Sequence, residues 1–390
     1  MTSPRIQAAL DNADRSAAGA PRSTPAESAP PPRTVRVAIG DPQADFTRFL
    51  AILDHQGLLG ADGWLRPEVQ LVSVGDHFDY GKQHERDAAA QSALRLVAWL
   101  AAHPADQVII LAGNHDLGRV GEMAEFTDAT FAQAQAEADR LYDGEDTDEA
   151  REREFLARYP QVPTVELVSR DFGNFREVQR TWVTHLLRER RLRVAYAAGP
   201  DLLVLHAGVT REDLGTVGLA EDRYADAPAV AEALNRTLDA AVQSWQSGRF
   251  IIPGLHHPGR ADYGEGRGIF YHRPSLRPDE AERTRVTPRR RFDPRRLPLG
   301  LTQAVGHTRD KRSRELLCLP GEVRNGVLRH LVTDGHRLAY AHGTPTKTSP
   351  GEAVLLFTDG GMRECSTEAY ELLDLDTRAK RPSPTGRGTG

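Results

Sequence analysis

Apolar and polar positions follow two rhythms along this chain. Val35-Arg36-Val37-Ala38-Ile39 reads as a short strand stopped at Gly40. Phe46, Phe49, Leu50 and Leu53 then recur at i, i+3, i+4 and i+7, the apolar stripe of a helix. Val69 to Val74 is the next strand, and Leu94, Val97, Ala98 and Ala101 mark one face of the helix after it. Val108 to Ala112 is a third strand. Strand alternating with helix predicts an α/β architecture, and ligands in such sheets sit outside the carboxyl ends of the strands.

Residues 120–200 break the rhythm and read as mainly helical, with an acidic knot at Glu145, Asp146, Asp148 and Glu149. They are expected to form an inserted cap, either a lid or a peripheral bundle that only packs. Leu202 to Leu205 returns to strand. A helix is expected from Ala227 to Trp245, followed by an irregular Gly- and Arg-rich stretch over 253–300. Short strands at Thr302–Val305, Leu328–Val332, Leu338–Tyr340 and Ala353–Phe357 predict a second sheet packed on the first. Residues 1–33 are rich in Ala, Pro, Ser and Arg and are expected to be a disordered tail. The domain is expected over 34–375, with a second disordered tail over 376–390.

With 390 residues, 39% of them hydrophobic, the chain has ample material for a large core. A net charge of -5 demands neither a nucleic acid nor a membrane partner. Seven arginines fall between Arg283 and Arg296, a run that reads first as a solvated loop and second as a clamp for a polyanion. Cys318 and Cys365 form no CxxC and no disulfide framework. No stretch approaches a membrane span, and residues 1–33 lack the apolar core of a secretory signal. A cytoplasmic location is the expectation.

The chemistry lies at the strand ends. Five polar motifs appear in order: Gly40-Asp41-Pro42-Gln43, Gly75-Asp76-His77-Phe78-Asp79, Gly113-Asn114-His115-Asp116, His206-Ala207-Gly208 and Gly306-His307-Thr308. Asp, Asn and His gathered this way are what a two-metal site needs, because carboxylates and imidazoles suit divalent transition metals and Asn adds a neutral oxygen. Taken singly, each motif has a bland reading. Asp41 or Asp76 caps a helix, His307 is a satisfied core histidine, His77 and His84 are surface or loop residues, and His256-His257 is a turn before Pro258. Asp45 reads as the cap of the first helix.

These residues resemble the calcineurin-like metallophosphoesterases, nearest the phosphoprotein phosphatase and diadenosine tetraphosphatase branch. The resemblance covers roughly 34–120 and 200–360 and implies a two-sheet sandwich flanked by helices. It implies two divalent ions, Mn2+ first, with Fe, Zn or Mg as alternatives, and a phosphorylated substrate. Asp41 and His307 would hold the first ion, with Gln43 beside them. Asp76 would bridge both, and Asn114 and His206 would hold the second. A further histidine ligand is left open among His256, His257 and His272. Ions about 4 Å apart clamp the attacking and leaving oxygens of an in-line displacement. His115 would be the general acid, oriented by Asp79. Asn114, Lys82, Arg119 and Arg273 would bind phosphate.

Two departures stand out. Gln43 replaces the usual His, which would weaken the first ion, change its identity or abolish its site. Tyr80 replaces the Arg that normally grips phosphate. They support a rival reading, a catalytically weakened relative that binds phosphate ligands or a protein partner. The pairing of His115 with Asp79 opposes it, since a pure binder has no use for an acid pair.

Overall fold

The computed structural model describes residues 3–79, 82–142, 144, 148–277, 291–345 and 349–382. In chain order the strands are β1 (Val35–Ile39), β2 (Val69–Ser73), β3 (Val108–Leu111), β4 (Leu192–Arg193), β5 (Ala195–Ala197), β6 (Leu202–Leu205), β7 (His256–His257), β8 (Arg267–Gly268), β9 (Thr302–Val305), β10 (Arg329–Thr333), β11 (Leu338–His342), β12 (Ala353–Phe357) and β13 (Leu373–Asp374). The helices are α1 (Pro4–Ala17), α2 (Phe46–His55), α3 (Arg86–Ala102), α4 (Asn114–Gly118), α5 (Asp128–Leu141), α6 (Glu149–Arg158), α7 (Glu177–Arg188), α8 (Arg211–Thr216), α9 (Ala227–Ser244) and α10 (Asp310–Leu316).

The strands form a five-stranded sheet, β13-β1-β2-β3-β4, and a six-stranded sheet, β11-β10-β12-β9-β6-β5. From β1 to β4 the pairing is parallel, as is that of β9 with β6 and β12. Parallel strands buried on both faces read as continuous apolar runs, and β2, β6 and β12 are buried at every position. Alternate residues point to opposite faces. Ala38, Val72, Leu111, Val204, Ala304 and Val354 form one layer of the core. Val37, Ile39, Leu71, Ile110, Leu203 and Leu355 belong to the larger cluster that also takes in the helices. This is the expected two-sheet α/β sandwich flanked by helices. Asp45 caps α2, its side chain accepting from the Arg48 amide at 3.0 Å.

The chain ends depart from expectation. Residues 4–17 form a helix, not a disordered tail. Ser3 caps it, Pro4 occupies its first turn, and Ile6, Ala9 and Ala13 are buried. The stripe is built mostly from alanines, so its periodicity is faint. At the other end, residues 376–382 are ordered. Arg378 pairs with Asp201 at 2.9 Å, and the Arg381 amide donates to the Leu372 carbonyl at 2.8 Å. The remainder of that expected tail lies outside the described residues.

The insertion is narrower than expected. Met123, Phe126, Phe131, Phe155, Val165, Phe172 and Phe175 form a core of their own. Helix α7, by contrast, sends Trp182, Val183, Leu186 and Leu187 into the main core. Strands β4 and β5 complete one edge of each sheet. They are two and three residues long, too short to show a period.

Candidate active site

The loops after β1, β2, β3, β6 and β9 meet at one end of the sandwich. They are sharply turned. Gln43, Ala44, Asp76, Asp79 and His307 all adopt left-handed backbone, with φ of 44°, 61°, 52°, 62° and 63°. Such positions cost about 1–3 kcal/mol each and persist only when their surroundings hold them. Asp116 does much of the holding. Its carboxylate accepts from the amides of Asp76 at 3.0 Å, His77 at 2.9 Å and Gly113 at 2.8 Å. It also meets His77 Nδ1 at 3.0 Å, while His77 Nε2 meets Ser73 Oγ at 2.8 Å. His77 is therefore a loop residue, as one expectation had it, but buried and structural rather than at the surface; His84 is exposed.

Glycine is required where these loops touch. A Cβ at Gly113 would lie 2.1 Å from Asp76 Oδ1, and one at Gly306 would lie 2.0 Å from Asp41 Oδ1.

Asp76, His206 and His307 bring ligand-type atoms within 4.8 Å of one another. His206 Nδ1 lies 2.9 Å from the Val74 carbonyl, so it carries the proton and leaves Nε2 as a lone pair. Around that lone pair stand Asn114 Oδ1 at 3.1 Å, His307 Nδ1 at 3.1 Å and Asp76 Oδ2 at 3.5 Å. Burial, then the charges of Arg273 and the neighbouring histidines, holds His307 well below its ordinary pKa, so its ring is neutral. Electron-rich atoms packed this closely repel unless a cation lies among them. Two imidazoles, a carboxylate and an amide oxygen suit a divalent transition metal. His307 Nδ1 thus lies with Asn114 and His206, while its Nε2 is buried without a hydrogen-bond partner.

The acid pair is tied to this cluster. The His115 amide donates to Asp76 Oδ1 at 3.0 Å, and His115 Nδ1 donates to Asp79 Oδ2 at 3.0 Å. The His115 side chain remains 21% exposed. Burial alone would lower the His115 pKa, but the carboxylates of Asp76 and Asp79, with Asp171, raise it to about 9. Phe172 of the insertion packs edge-on against the ring, with centroids 5.2 Å apart.

Arg119 has a different role from the one expected. Its side chain is wholly buried. One terminal nitrogen donates to Asp79 Oδ1 at 2.6 Å and the other to Asp79 Oδ2. Nε reaches Gln179 at 3.1 Å, and a further bond goes to Asn174 at 3.2 Å. A phosphate has no route to it. Arg273 is buried too, and pairs with Glu265 at 2.9 Å. Lys82 is exposed, and Tyr80 lies outside the described residues.

Gln43 does not face a ligand set. Its amide oxygen accepts from Arg309. Asp41, beside it, accepts the His307 amide at 2.9 Å through Oδ2, while Oδ1 has no hydrogen-bond partner. Burial, then the charges of Asp359 and Asp76, pushes the Asp41 carboxyl well above its ordinary range, and Arg309 offsets part of this. His256 is buried and stacked on Tyr271, with ring centroids 5.9 Å apart, in a short strand rather than a turn. Sequence reasoning missed Asp116, Phe172, Arg309 and Asp359. Asp116 and Arg309 stand within or beside quoted motifs; Phe172 and Asp359 carry no local signal.

Residues 36–218 match the calcineurin-like phosphoesterase family. The match takes in Asp41, Asp76, Asn114, His115 and His206 and stops short of His307. No curated protein matches the chain significantly. Among solved structures, a cold-active protein-tyrosine phosphatase of a psychrophilic Shewanella overlays with 14% identity and a TM-score of 0.37, covering 92% of this chain and 78% of that one. A protein serine/threonine phosphatase from Saccharomyces cerevisiae overlays with 14% identity and a TM-score of 0.35, covering 93% and 79%. Residues 36–218 thus carry a calcineurin-like phosphoesterase domain match, and the donor set of Asp76, His206 and His307 sits at the ends of its strands and of β9.

Proposed function

We propose that the protein is a phosphatase that hydrolyses phosphoprotein, dinucleoside polyphosphate or small phosphomonoester substrates, with His115 as general acid. The observation that carries this reading is the bond from the His115 amide to Asp76 Oδ1, which fixes the acid against the cation-binding carboxylate. Asp76, Asn114, His206 and His307 would hold the ion. When bound there, a divalent cation supplies Lewis acidity and a water nucleophile at neutral pH. Mn2+ is the first expectation for the donor set, with Fe, Zn and Mg as alternatives.

The remaining steps belong to the chain's own residues. As water adds to phosphorus, the ester P–O bond breaks and the leaving oxygen takes the proton from His115 Nε2. Asp79 keeps the ring in the tautomer that presents this proton and stabilises its charged form. Arg119 holds Asp79 in place from behind. The Asn114 amide group offers a donor to a phosphate oxygen. Lys82 and Arg273 are the proposed phosphate cations, Arg273 only after releasing Glu265. A cytoplasmic location, with no nucleic-acid partner, fits this reading.

The test is turnover of a generic aryl phosphate by chelator-treated protein, before and after Mn2+ is added. Metal-dependent release of phosphate is expected, and His206→Ala should abolish it. The rival reading, a phosphate-binding relative without activity, rests on Gln43. It predicts binding of phosphate with no turnover under any metal.

A further inference from the structure

Resemblance implies an ion on each side of Asp76, but the donors lie on one side. Among the described residues, Asp76, His206 and His307 are the group whose ligand atoms converge. Among the described residues, no second group of three such side chains gathers at Asp41. Gln43 stands there, and its oxygen is turned onto Arg309. The other nitrogens of Arg309 reach Glu364 and approach Asp359 Oδ2 at 3.8 Å. Asp41 and Asp359 are each 2% exposed, so this corner buries two carboxylates and brings its own cation to them. Asp41 Oδ1 is the oxygen left without a hydrogen bond. Together with Asp76 it makes two carboxylate donors, fewer than the three protein ligands typical of a catalytic zinc-like ion.

We infer that the site holds one resident divalent cation, on Asp76, Asn114, His206 and His307, and that Arg309 supplies the second positive charge on the Asp41 side. Gln43 is then the anchor of that guanidinium and not a weakened ligand. A guanidinium is always charged and presents a planar fork of donors suited to phosphate oxygens. It also repels a second dication. This inference rests on the phosphoesterase reading and deepens it.

Metal counting separates the two. Chelated protein is re-equilibrated with Mn2+, dialysed and analysed by mass spectrometry and by titration calorimetry. One ion per chain is expected in the wild type, none in His206→Ala, and two in the double variant Gln43→His/Arg309→His. Circular dichroism checks that the variants fold; if the double variant does not, the wild-type count decides alone. Two ions in the wild type, or none, would overturn the inference. One ion per chain with no turnover of any phosphate ester supports the inference and removes the catalytic reading. Two ions with full turnover does the reverse.

Discussion

A histidine held between two carboxylates is protonated across the neutral range, and this sets a pH dependence. The His115 pKa is raised to about 9 by Asp76 and Asp79 against the opposing effect of burial. The acid works only while protonated, so kcat should fall as pH rises through that value. A cation on Asp76 cancels part of the attraction, so the alkaline limb should move to lower pH in the metal-loaded enzyme. His115→Gln should lower kcat by roughly 10²–10⁴-fold and erase the limb while the metal content stays unchanged. A limb of the same position in that variant assigns the titration to another group. Arg119 gives a second outcome at this scale. Removing its guanidinium leaves the buried Asp79 charge with His115 as its remaining ionic partner, and breaking a buried pair typically costs up to about 3–5 kcal/mol. Arg119→Met should therefore lower the denaturant midpoint sharply; an unchanged midpoint would show that Asp79 has other support.

At the scale of elements, α1 and the insertion carry the informative cases. Helix α1 buries Ile6, Ala9 and Ala13, and the Ser3 hydroxyl donates to Asp54 at 2.7 Å. Gly63 comes so close that a Cβ there would lie 2.3 Å from the Ala9 nitrogen. Deleting residues 1–18 should cost on the order of 2–4 kcal/mol, the scale of burying one large and several small apolar side chains. Chemical denaturation checks this, and a midpoint equal to that of the full chain would show that the helix adds nothing. The sequence hid this helix because alanines make most of its stripe. The motifs, by contrast, were legible because each is a contiguous run at the end of an apolar strand. From the insertion, Phe172 packs on His115 and Asn174 and Gln179 bond Arg119. Those contacts join residues some sixty positions apart, which no local pattern reveals. Phe172→Ala should depress kcat more than it raises KM; an unaltered kcat would return the insertion to a packing role.

For the whole molecule, two parallel-cored sheets bring five loops to one end, and the glycines there let carboxylates approach backbone at van der Waals limits. The fold class and the identity of the motifs could be read from the sequence. The grouping of His307 with His206, the burial of Arg119 and the Gln43–Arg309 contact could not, because each depends on loops folding onto one another. His115 is proposed to protonate the leaving oxygen beside the cation set. The measurement that bears on it most directly is the turnover of a series of phosphate monoesters whose leaving alcohols differ in acidity, by wild type and by His115→Ala. A shallow dependence on leaving-group acidity is expected in the wild type and a steep one in the variant, with the most acidic leaving groups nearly unaffected. Equal slopes for the two proteins would contradict it.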